Sequence, residues 1–230
     1  MKTEPEQPSN KDLIIKILSE KSIVKQKVYD NTFETFVMLK EVLHEMINEI
    51  SDSVSSSDRR IKLDYRDRGR FEAEAKIAED MLIFSMHSNV FEFDGEHSIR
   101  KMSYVEKEPL NSYCGIISIY NFLADSFKYN RTDDLGYLIG RIFVNREMRF
   151  FVEGMRFIND FGTKTIDRNE LRAILETTVK YALEFDLFVP PYDMVKIASV
   201  YQLNQKIENA KLQTGKRLGF PFDSDDVLNV

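Results

Sequence analysis

The chain has 230 residues, 43% hydrophobic and 30% charged, with 17 Phe, 10 Tyr and no Trp. That is ample apolar material for one large core. A formal net charge of -6 excludes the chain-wide basic footprint of a nucleic-acid binder, and a single cysteine, Cys114, excludes an internal disulfide or a cysteine-rich zinc site.

Residues 1–10 are polar and read as disordered. They show no apolar stretch of the signal-peptide kind. No apolar run approaches the roughly 20 residues needed to span a bilayer. Together with the lone cysteine, this places the protein in the cytoplasm, away from membranes, with nucleic acid not expected as a partner.

Residues 11–56 read as helical. Asn31, with Glu34 three positions on, resembles a capping box. From there Phe36, Leu39, Leu43, Met46, Ile47, Ile50 and Val54 recur at steps of three and four, so they share one helical face. This stripe is either core or the seam of a homodimer formed through the N-terminal helix.

Residues 57–155 change to a period of two, the mark of strands. Ile61, Leu63 and Tyr65 alternate with charges, as do Phe71, Ala73, Ala75 and Ile77 beyond the turn signal at Gly69. The stretch from Met81 to Phe93 ends at Asp94-Gly95, and Ser112 to Tyr120 reads as a further strand. Leu135 to Val144 and Glu147 to Glu153 flank Asn145-Arg146 as a second hairpin. Residues 156–218 return to helix: Asp167 and Glu170 resemble a capping box ahead of a stripe of Leu171, Ile174, Leu175, Val179 and Leu183. Pro190-Pro191 breaks the chain, and a last helix is expected from Asp193 to Leu212. Residues 219–230 read as a tail. Grouped strands between helical ends predict one α+β domain over 1–230, with an antiparallel sheet at its centre.

Three constellations carry chemistry. With Met81 to Phe93 extended, Ser85, His87 and Asn89 fall on one face between apolar neighbours, the composition of a pocket floor. With a two-residue loop at Asn145-Arg146, Arg141 lands opposite Phe150 on an otherwise apolar face. An Arg there needs an anionic partner, so a small anionic ligand is one occupant and an internal ion pair the other. Finally, Asp64 falls opposite Glu74 if the first hairpin turns over three residues, Arg68 to Arg70, or opposite Ala73 if it turns over two. Glu74 and Lys76 then share a face with Asp64. This Asp…Glu-x-Lys pattern resembles the core of the restriction-endonuclease-like nucleases, a resemblance confined to Asp64 to Lys76. It implies a metal-dependent nuclease or phosphodiesterase with Asp64 and Glu74 as hard oxygen ligands and Lys76 beside them.

No phosphate-binding loop, dinucleotide fingerprint, nucleophile elbow or zinc-binding helix motif occurs, and no cofactor is implied. The expectation is therefore a non-catalytic ligand-binding or protein-interaction module, with the nuclease as the alternative.

Overall fold

The computed structural model describes residues 9–55, 58, 61–132, 134–154 and 161–184. The chain divides into two units, Met1–Phe185 and Asp186–Val230, and the described residues all lie in the first. The expected proline break, last helix and tail, like the first eight residues, fall outside the described set.

The fold begins with helix α1 (Asn10–Ile17), which runs through a π turn (Leu18–Ser22) into the long helix α2 (Ile23–Ser55). The strands follow as β1 (Leu63–Asp67), β2 (Glu72–Ile77), β3 (Asp80–Met86) and β4 (Phe91–Glu92). After the short helix α3 (Ser103–Lys107) come β5 (Tyr113–Leu123), helix α4 (Ala124–Lys128), β6 (Tyr137–Asn145), β7 (Phe150–Gly154) and helix α5 (Arg168–Leu183). The seven strands form one antiparallel sheet in the order β1-β2-β3-β5-β6-β7, with β4 pairing the start of β5. The protein is thus α+β, as its grouped strand patterns require.

Helices α2 and α5 cover one face of this sheet. Phe36, Leu39, Leu43, Met46 and Ile47 of α2 and Leu171, Ile174 and Leu175 of α5 are buried against Ala73, Phe84, Ile117, Ile119, Ile142 and Val152. The α2 stripe from Phe36 to Ile47 is therefore core within one chain. Exposed ion pairs from Arg168 to Glu41 and Glu45, and from Arg172 to Glu49, join the two helices. Asp167 caps α5 by accepting the Glu170 N–H at 2.9 Å. Asn31, by contrast, caps nothing. It lies inside α2, buried, and its side chain donates to the Asn145 carbonyl at 3.0 Å.

That bond belongs to a buried polar cluster which ties α2 to the β6–β7 turn. Asn145 Oδ1 accepts the N–H groups of Glu147 and Arg149, and its Nδ2 donates to the Tyr104 hydroxyl. Burial, first, pushes the Tyr104 phenol up to about 12, so the hydroxyl stays protonated and donates to Glu147. Helix α2 packs tightly on β5 at Gly115, where a Cβ would collide with Thr32.

Among the described residues, the sheet's other face is covered at its two ends. Ile99, Val105, Cys114, Phe143 and Phe161 pack at one end, and Met81, Ile83 and Ala124 at the other. Burial pushes the Cys114 thiol far above its ordinary pKa, so it stays neutral and behaves as a small apolar group.

Candidate functional site

Between those two covered ends runs a polar row. Strand pairing sets Glu72 against Ser85, Ser85 against Ser118, Ser118 against Arg141, and Arg141 against Glu153. Ser85 and Arg141 therefore share a face, about 10 Å apart at a strand spacing of about 4.8 Å. Arg141 already has its anion. The β6–β7 loop is Arg146 to Met148, one residue longer than the two-residue turn expected and starting one position later, and Met148 takes a left-handed backbone at φ 59°. The register therefore moves, and Arg141 faces Glu153 rather than Phe150. Its Nε donates to Glu153 Oε2 at 2.6 Å, and its guanidinium lies 5.3 Å from the Phe143 ring centroid.

The His87 N–H still donates to the Ile116 carbonyl, one residue beyond β3, and the chain turns before Asn89. Strand β3 stops at Met86 because His87 Nδ1 accepts the Asn89 N–H at 3.0 Å and closes a turn. The His87 ring then stands edge-on to Phe91, with centroids 4.8 Å apart. Asn89 instead borders a shallow groove of about 590 Å³. Lys25, Gln26 and Tyr29 of α2 form one wall, and residues 88–91 form the other. Its Val90 side packs on a small cluster of Val24, Val28 and Tyr113.

The first hairpin adopts neither expected register. Its loop is Gly69 to Phe71, so Asp64 pairs with Lys76 and Glu74 with Arg66. Glu74 is nearly buried, and both its oxygens are engaged: Arg66 holds Oε1 at 3.3 Å and Arg68 holds Oε2 at 3.2 Å. Asp64 lies diagonally across from it on the same face. Among the described residues, no three His, Cys, Asp or Glu side chains gather in a way that would hold a metal ion.

A run of exposed apolar residues lies on α1, and the sequence pattern offered no reason to single it out. Every residue from Asn10 to Lys21 is solvent-exposed. Leu13, Ile14, Ile15, Ile17, Leu18 and Ile23 are 42–62% exposed. At 100° per residue, Leu13, Ile17, Ile14 and Leu18 fill an arc of about 140°, and Ile15 widens it to about 200°. In an unbroken helix Leu13 and Ile17 would share a face with Val24 and Val28, which are buried. The π turn inserts an extra residue and rotates α1's faces by about 100° relative to those of α2. Five lysines, Lys11, Lys16, Lys21, Lys25 and Lys27, against Asp12 and Glu20 give residues 10–27 a charge of +3 (5 minus 2) in a chain of net -6.

No family model, curated protein or solved structure matches this chain. Among the described residues, no helix is long and apolar enough to cross a membrane.

Proposed function

We propose that this protein is a non-catalytic interaction module of the cytoplasm whose contact element is α1 and whose partner is a second copy of the same chain. The observation that carries this reading is the exposure of six aliphatic side chains on a helical extension that buries none of its own residues between Asn10 and Lys21. A folded chain that seats Phe36, Leu39, Val42, Leu43, Met46 and Ile47 of α2 against its sheet does not leave such a patch to water without a use for it. A reducing compartment suits the single buried thiol of Cys114.

The energetics fit a reversible contact. Fully burying a Leu or Ile is worth about 1.5–3 kcal/mol, so a half-exposed one yields about 1. Two copies contributing six each recover on the order of 10 kcal/mol, against an association cost of about 4–15. Light scattering on size-exclusion fractions tests the proposal. The chain mass is 27.0 kDa. At tens of micromolar the wild type should approach twice that, while the double variant Ile14→Glu with Leu18→Glu should elute as a folded 27.0 kDa monomer. A monomeric wild type at every concentration overturns the proposal.

A further inference from the structure

Resting on that dimer, we infer that α1 of each copy docks into the other copy's groove, the one walled by Lys25, Gln26 and Tyr29 and by residues 88–91. A chain's own α1 cannot fill this groove, because α1 continues through the π turn into α2 without a break and points away along the same course. A second copy can. An antiparallel two-fold axis beside the π turn, between Glu20 and Lys21, lays residues 13–18 of one copy along residues 23–28 of the other. The groove starts within that span, at Lys25.

The same axis matches charge and apolar character. Glu20 falls opposite the partner's Lys21, Lys11 opposite the partner's Asp30, and the exposed Leu18 opposite the partner's exposed Ile23. Lys16 against the partner's Lys25 is the one like-charged match among them. The breadth of the apolar surface points the same way. A seam between two helices occupies a narrow stripe, whereas α1 presents about 200° of aliphatic surface, which takes a helix on one flank and a groove on the other. Phe91, itself 39% exposed at the groove's edge, supplies an aromatic contact for those side chains.

Site-directed crosslinking tests this docking. Leu13→Cys and Asn89→Cys are prepared separately, mixed, and treated with a short bismaleimide. Cys114 is buried and stays silent. In the antiparallel dimer the two copies of position 13 lie about 22 Å apart, fifteen residues at 1.5 Å each, so Leu13→Cys alone should not crosslink. The mixture should give a covalent dimer several-fold above either variant alone. A mixture that is dimeric by light scattering but yields no mixed crosslink overturns the docking and leaves the α1 dimer in place. A mixture that is monomeric removes both.

Discussion

Gly115→Ala is the sharpest test of how α2 seats on the sheet. A Cβ at this position would lie 2.7 Å from Thr32 Cβ and Cγ2, and closer still to Oγ1. Ordinary carbon contacts begin near 3.5 Å, so something must move by at least about 0.8 Å. Thr32 has no room to give: it is fully buried and its hydroxyl donates to the Val28 carbonyl at 2.7 Å. Helix α2 must therefore lift off β5 or β5 must bend. Overpacking of this kind costs about 1–3 kcal/mol, and replacing a strand glycine returns about 0.5–1 of it through backbone entropy. The net expectation is a loss of about 1–2 kcal/mol, measured by urea unfolding at a fixed protein concentration. Thr32→Gly alone should also destabilise, since glycine inside a helix costs about 1 kcal/mol. In the double variant the clash is gone, so the two losses should fall short of additive by about 1 kcal/mol or more. Gly115→Ala within about 0.5 kcal/mol of wild type, or strictly additive losses, would refute this packing of α2 on β5.

Two further predictions rest on buried polar groups. Asn145→Ala strips the acceptor that satisfies the Glu147 and Arg149 N–H groups. Each unsatisfied buried group costs about 1–3 kcal/mol, so unfolding should show a loss of about 2–4 kcal/mol, and a loss below 1 would mean water replaces the side chain freely. Asp80 is half-buried, and desolvation, then repulsion from Glu79, raises its pKa above the ordinary value against a bond from Asn121 that lowers it. A raised acid pKa means the fold favours the protonated form, so ionised Asp80 weakens the fold above that pKa and the penalty fades as pH falls through it. Asp80→Asn should accordingly melt higher than wild type at pH 7 and converge with it toward pH ~4, the ordinary Asp range. A variant that melts lower at pH 7 contradicts this sign.

The fold class was legible because the period of the pattern changes from helical to alternating and back, and burial enforces those periods strictly. Strand registers were not legible, because each depends on loop length, and both loops end on apolar residues that read as strand. Phe71 closes the β1–β2 turn next to Arg70, whose guanidinium stacks on its ring, and Met148 packs on the core from a left-handed turn. In the first hairpin the three-residue turn slides one position, which sets Lys76 opposite Asp64; in the second the turn both gains a residue and slides one position, which gives Arg141 a carboxylate partner. Asn31 read as a cap because Asn before a helical stripe usually is one. Here its side chain satisfies a carbonyl 114 residues away, which no local pattern encodes. The α1 surface went unread because Leu13 to Leu18 fall in a stretch read only as helical, and it is the π turn that rotates them off the face of the buried Val24 and Val28.

Amide hydrogen exchange of the intact wild-type chain, followed by mass spectrometry across a dilution series, tests most directly whether α1 is the contact element. Peptides covering residues 10–23 should be protected at high protein concentration and exchange progressively faster on dilution, while peptides from the buried stretch Phe36 to Ile47 keep the same protection throughout. Rapid exchange of residues 10–23 at every concentration would contradict the account, as would protection that falls together in both regions.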